Sequence, residues 1–162
     1  MQTILGIDPG SRCTGYGIIT SESNKLRCLA YGEIKMSANL LMPVRLHMIF
    51  TGLQKVIHDY LPHEVAIEKV FMYKNAQSAI KLGQARGAAM VAAASLDLPV
   101  AQYAPREIKQ AVVGYGNADK NQMQQMMKIL LGLDKLPGQD AADALAVALC
   151  HCNSSKLKAK VS

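Results

Sequence analysis

Two spacings of apolar residues alternate along this chain. Thr3 to Ile7 is a short apolar run halted by Asp8-Pro9-Gly10, the pattern of a buried strand stopped by a turn. Thr14 to Thr20 reads as a second strand, Ser21 to Asn24 as a polar turn, and Leu26 to Ile34 as a third strand with partial alternation. Strand, turn, strand, turn, strand predicts an antiparallel meander. The period then changes. Leu46, Ile49, Phe50, Leu53, Ile57 and Tyr60 fall on one face at helical spacing, which predicts a helix over Met42 to Tyr60. Pro43 suits its first turn, and Pro62 follows its end. Glu64 to Ile67 returns to strand and closes at Glu68.

The second half is mostly helical. Asn75 can cap a helix running to about Ala94, rich in small residues. Leu98 to Tyr103 predicts a fifth strand, and Pro105 opens a helix that ends near Gly114. A loop predicted to be flexible, Gly114 to Lys120, leads to a helix over Asn121 to Leu131, and a last helix covers about Asp140 to Cys150. This order predicts an α/β fold, a mixed sheet with helices on both faces. The expected division is a nuclease-sized domain over 1–152 and a basic, disordered tail over 153–162 carrying Lys156, Lys158 and Lys160.

Composition narrows the picture. Half of the residues are apolar and only 19% are charged, which excludes a disordered chain. With no Trp, Ala, Leu, Ile, Val and Met must fill the core, and Met123, Met126 and Met127 are expected there. The formal charge of +6 favours a polyanionic partner without identifying one. Cys13, Cys28, Cys150 and Cys152 have no zinc or redox spacing and read as reduced thiols, and His47, His58, His63 and His151 are scattered without metal-ligand spacing. Asp8 and Arg12 interrupt any signal-like run, and no apolar stretch is long enough for a bilayer. The expected setting is therefore the cytoplasm, with no membrane partner.

In a chain this sparsely charged, the placement of four acids stands out. Asp8 and Glu68 each close an apolar strand, and their carboxylates converge if those strands are neighbours. Asp140 and Asp143 share one face in the first turn of the last helix. Capping that helix would account for the second pair alone. Four acids at element ends, however, call for a counter-charge, which a hard divalent cation with oxygen ligands supplies. Two such ions can clamp a phosphodiester.

The blocks Gly6-Ile7-Asp8-Pro9-Gly10-Ser11, Thr14-Gly15-Tyr16-Gly17, Ala66-Ile67-Glu68-Lys69-Val70-Phe71, Lys81-Leu82-Gly83-Gln84-Ala85-Arg86-Gly87 and Asp140-Ala141-Ala142-Asp143-Ala144-Leu145-Ala146 resemble, in order, those of RuvC-type Holliday junction resolvases. The resemblance runs from about Thr3 to His151. It implies a ribonuclease H-like fold and a homodimer that cuts four-way DNA junctions by paired symmetric nicks, leaving 5′-phosphate and 3′-hydroxyl ends. Asp8, Glu68, Asp140 and Asp143 match the family's catalytic, metal-binding acids. The cofactor implied is Mg²⁺, two ions per site, with Mn²⁺ able to substitute. A RuvA–RuvB branch-migration complex is the partner that the resemblance suggests.

Further residues carry two readings each. Phe71, in a loop with Lys74, either stacks on an unpaired DNA base or folds onto the core. Lys109 and Lys120 flank the Gly114 to Asp119 loop, and Arg86 lies on the small-residue helix; each is a phosphate contact or an ordinary surface cation. For Lys109 and Lys120 the resemblance favours an active-site role. Gly83 and Gly87 allow close helix packing, either inside the domain or at a dimer seam, and the resemblance favours the seam. Two other functions compete. Gly6 to Ser11 also looks like the phosphate loop of actin-like ATPases and sugar kinases, and a non-catalytic junction-binding module would need only the basic residues.

Overall fold

The computed structural model of the chain describes residues 1–23, 25–70, 75–114 and 116–161, with side chains through residue 155. One sheet carries β1 (Gln2–Asp8), β2 (Cys13–Glu22), β3 (Lys25–Lys35), β4 (Glu64–Glu68) and β5 (Val100–Tyr103) in the order β3-β2-β1-β4-β5. The first three form the antiparallel meander that their pattern predicts. β4 then pairs parallel with β1, and β5 parallel with β4. Parallel neighbours need long crossovers. These are α1 (Met42–Tyr60) and α2 (Ala76–Ala94), with α2 capped by Asn75, whose side chain accepts from the Ser78 N–H at 2.8 Å. Three helices follow: α3 (Pro105–Val113), α4 (Lys120–Leu131) and α5 (Gln139–Val161).

Strand alternation sorts each strand's side chains onto two faces. Leu5, Ile7, Ile18, Val65 and Ile67 pack against α1 and α2. Ile4, Ile19 and Ala66 point the other way, against α3, α4 and α5. Met123 and Met127 are buried in that second cluster, and Met126 packs beside them. The expected mixed sheet with helices on both faces is what forms.

What positions the site is how closely α5 lies on the sheet. Ala141, Ala142, Ala144, Ala146 and Ala148 are all buried. Opposite them stand Gly6, Gly15 and Gly17. A methyl group on Gly6 would overlap the Ala144 carbonyl and sit 2.8 Å from the Ala148 nitrogen; on Gly15 it would overlap the Asp140 carbonyl. Small residues on both surfaces let helix backbone rest directly on strand backbone. The first turn of α5 is thereby held against the ends of β1 and β2.

Three boundaries differ from expectation. β5 begins at Val100, because Pro99 has no N–H for the ladder. α4 begins at Lys120, where the Asp119 carboxylate accepts from the Gln122 N–H at 2.8 Å and caps the helix. α5 does not stop near Cys150, and the segment expected as a disordered tail continues as helix to Val161. That stretch contains no Gly or Pro, and its lysines suit a helix C-terminus.

Candidate active site

The sheet order brings the acids together. β1 and β4 are adjacent and parallel, with Ile7 opposite Ile67, so Asp8 and Glu68 come next on neighbouring strands. Alternation puts Asp8 on the face of Ile4 and Gly6, and Glu68 on the face of Ala66, which is the side covered by α5. The first turn of α5 adds Asp140 and Asp143. Carboxylate oxygens of Asp8, Asp140 and Asp143 lie within 4.8 Å of one another. Glu68 stands beside this set and interacts electrostatically with Asp8 and Asp143. All four acids line one cavity of about 1060 Å³, whose walls also carry Arg12, Lys69, Lys81, Lys109 and Lys120.

This arrangement disfavours negative charge. Burial pushes the Asp8 carboxyl well above the usual carboxylate range, Asp143, Glu68 and Asp140 add repulsion, and a hydrogen bond that the protonated Asp8 donates to Asp140 raises it further. Glu68 is pushed up to about 7 by burial and by Asp143, against the opposing pull of Lys109 and Lys120. Asp143 rises to about 6, again mainly through burial, with Lys120 and Lys109 pulling it back. Two lysines thus act on the acids but do not neutralise them. A cluster of carboxylate oxygens, close together and left repelling one another, fits a hard divalent cation such as Mg²⁺.

The shifts predict how the metal-free fold responds to pH. Folded Glu68 and Asp143 hold protons at higher pH than their unfolded values of 4.5 and 3.8. The folded state therefore binds more protons from those values up to the folded ones of about 7 and about 6, and its stability falls as pH rises through that window. In EDTA, the melting temperature is expected to be higher near pH 5 than near pH 7.5, and the slope to be shallower in Asp143→Asn. Mg²⁺ should raise the value at the higher pH. An EDTA profile that is flat or rises from pH 5 to 7.5 would contradict the electrostatic reading.

A sequence model of the family described as "Crossover junction endodeoxyribonuclease RuvC" matches residues 4–151. The chain belongs to the RuvC family. The RuvC of Coxiella burnetii is 58% identical over 160 residues, covering 99% of this chain and 92% of that protein. The RuvC of Geobacter sulfurreducens is 54% identical over 155 residues, covering 96% and 94%. Among solved structures, Thermus thermophilus RuvC, described in complex with Holliday junction substrate, superposes with a TM-score of 0.90 at 34% identity, covering 98% of this chain and 97% of that one. The fold is ribonuclease H-like, and membership of RuvC rather than of an ATPase or sugar-kinase family removes the ATP-binding reading.

Other residues singled out in the sequence fall in different places. Lys109 and Lys120 line the acidic cavity. Arg86 is turned inward: its Nε donates to the Glu68 backbone carbonyl at 3.1 Å, and its Nη2 donates to Gln102 Oε1. A Cβ added at Gly83 or Gly87 would meet nothing within 4 Å, so packing inside the domain does not require glycine there. Phe71 and Lys74 lie outside the described residues.

Sequence reasoning missed several groups. Arg12 and Lys81 share the cavity wall; the signals available were Arg12's place in the turn after Asp8 and Lys81's place in the Lys81 to Gly87 block. Cys13 Sγ, a Glu33 carboxylate oxygen and an Asp140 oxygen lie within 4.8 Å of one another. Burial, together with Asp140 and Glu33, pushes the Cys13 thiol up to about 12, so it stays protonated. No sequence signal joined these three, because each comes from a different element. His151 is a buried structural histidine, bonded to the Tyr103 hydroxyl at 2.7 Å and to Glu64 at 2.5 Å.

Proposed function

We propose that this RuvC-family chain resolves four-way (Holliday) DNA junctions by paired, symmetric, metal-dependent nicks during recombination and repair. The observation that carries the reading is the three carboxylates within 4.8 Å of one another in a cavity walled by cations. Acids repel phosphate, so a module that only bound DNA would gain nothing from them. Asp8, Glu68, Asp140 and Asp143 are the residues that would hold Mg²⁺, two ions per site with Mn²⁺ as a substitute, and the bound metal supplies an activated water and stabilises charge on the scissile phosphate. Lys109 and Lys120, already acting on Glu68 and Asp143, would attract the strand and stabilise negative charge on it. Phe71 and Lys74 belong to the DNA contacts on the strength of the sequence. Products with 5′-phosphate and 3′-hydroxyl ends, and handover from a RuvA–RuvB complex, belong to the same reading. No helix of the described residues is long and apolar enough to cross a membrane, which is consistent with a cytoplasmic site of action.

The direct test is a synthetic four-way junction incubated with protein, with and without Mg²⁺. Two symmetric nicks only with the metal are expected. Binding without nicking would leave only the junction-binding module.

Symmetric nicking implies a two-fold dimer. The outer face of α2 supports one. Ile80 and Val91 are 62% and 55% exposed, and they lie in a helical stripe with Gly83, Gly87 and Ala94, opposite the buried Ala85, Ala89 and Ala92. Gly83→Arg would bring like charges together across the two-fold axis. It is expected to raise the dimer dissociation constant by on the order of a hundredfold while leaving the fold intact, as read by analytical ultracentrifugation and melting temperature. A variant that stays dimeric at micromolar concentration would place the seam elsewhere.

A further inference from the structure

Arg86 was a candidate phosphate contact, yet its hydrogen bonds run into the protein. From α2 it reaches the ends of two strands at once. Its Nε donates to the main-chain carbonyl of Glu68, the last residue of β4, at 3.1 Å. Its Nη2 donates to the side chain of Gln102 on β5. The Lys69 N–H donates to the Tyr103 carbonyl at 2.7 Å, which carries the β4–β5 pairing one residue past Glu68. The peptide that bears the Glu68 carboxylate is thus tied on both sides, and Lys69 and Val70 no longer belong to the strand.

We infer that Arg86 is a positioning residue, whose bond to the Glu68 carbonyl and brace on Gln102 hold the Glu68 carboxylate in the metal-binding geometry. The inference rests on the reading of Glu68 as a metal ligand. Glu68 needs such a brace more than its partners do. It closes a strand, stands beside the tight set of Asp8, Asp140 and Asp143, and is repelled by Asp143. A carboxylate that is pushed away by its neighbours and sits at a strand end swings outward unless its backbone is fixed. A planar guanidinium suits this task, because two of its donors leave in a fixed fork toward two acceptors. Groups that orient metal ligands without touching the metal commonly contribute 10–100-fold to affinity or activity, so the brace is expected to be worth roughly that.

The test compares Arg86→Ala, Arg86→Lys, Gln102→Ala and Glu68→Gln as full-length proteins. Mn²⁺ binding without DNA is followed by the electron paramagnetic resonance signal of the free ion. Single-turnover cleavage of a synthetic junction is measured across Mg²⁺ concentrations, and junction affinity is measured in EDTA across salt. Arg86→Ala is expected to weaken Mn²⁺ binding, and to raise the Mg²⁺ concentration for half-maximal cleavage, by roughly 10–100-fold. Its junction affinity and salt slope should stay at wild type. Arg86→Lys should recover part of the loss, because an ammonium can serve one of the two acceptors. Gln102→Ala should show a smaller loss of the same kind.

If instead Arg86→Ala keeps wild-type metal binding but loses junction affinity, with a salt slope shallower by about one, Arg86 is a phosphate contact and the inference is overturned. Wild-type metal binding and cleavage in Arg86→Ala overturn it as well. Should that variant fail to fold, Arg86→Lys and Gln102→Ala give the same readouts, and wild-type Mn²⁺ binding in both is the overturning result. Glu68→Gln with wild-type Mn²⁺ binding would overturn the inference at its base, by removing Glu68 from the site, and is distinguishable from a failure of Arg86 alone.

Discussion

Asp8→Asn, Asp140→Asn and Asp143→Asn are each expected to abolish junction cleavage while leaving junction binding largely intact. The three carboxylates converge within 4.8 Å, so each replacement removes one face of the same cation cradle. Loss of a single preorganised electrostatic group costs about 10²–10³ in rate, and a metal ligand should cost at least that. The cations on the cavity wall are untouched by these changes, and an amide repels phosphate less than a carboxylate does. Affinity should therefore hold or rise. In metal-free protein the same variants should be more stable than wild type, because each relieves repulsion among buried acids. The measurements are single-turnover nicking, junction affinity in EDTA and melting temperature. A variant that nicks at near wild-type rate takes its residue out of the site, and one that melts lower in EDTA contradicts the electrostatic argument.

Gly6→Ala is expected to damage both the fold and the site, although Gly6 carries no functional group. The added carbon would overlap the Ala144 carbonyl and stand 2.9 Å from the Ala148 Cβ. These are helix backbone and its stiffest side chain, with no rotamer to yield. Overpacking typically costs about 1–3 kcal/mol, and the upper end is expected here. For a chain of this size that corresponds to a fall in melting temperature of roughly 10 °C. To relieve the clash α5 must lift, taking Asp140 and Asp143 away from Asp8. A displacement of about 1 Å can cost on the order of a hundredfold in rate. The loss of cleavage should therefore exceed what unfolding explains at a temperature where the variant is still folded. If stability falls but the folded variant cleaves normally, α5 is not what sets the spacing of the acids.

The sequence by itself determined the local elements and the identity of the reactive groups. A period of two or of 3.6 residues is written in consecutive side chains, so the meander, α1, α2, the cap at Asn75 and the helix start at Pro105 could be read directly. The acids were legible because charge is scarce in this chain and each of the four ends or starts an element. Helix α5 was underestimated, because a basic sequence with good helix formers looks alike whether it is a tail or a continuing helix. Whether Asp8 and Glu68 meet depended on β4 entering the sheet beside β1, a pairing between residues about sixty positions apart that no local pattern encodes. The direction of Arg86 was likewise open. A guanidinium on a helix reads as a surface cation until the ends of two strands are known to lie beneath it. Cys13, Glu33 and Asp140 come from β2, β3 and α5 and share no sequence spacing, so only the fold could join them. The closeness of α5 to the sheet depends on glycines facing alanines across more than a hundred residues, and its physical reason is steric: backbone can rest on backbone only where both surfaces lack side chains.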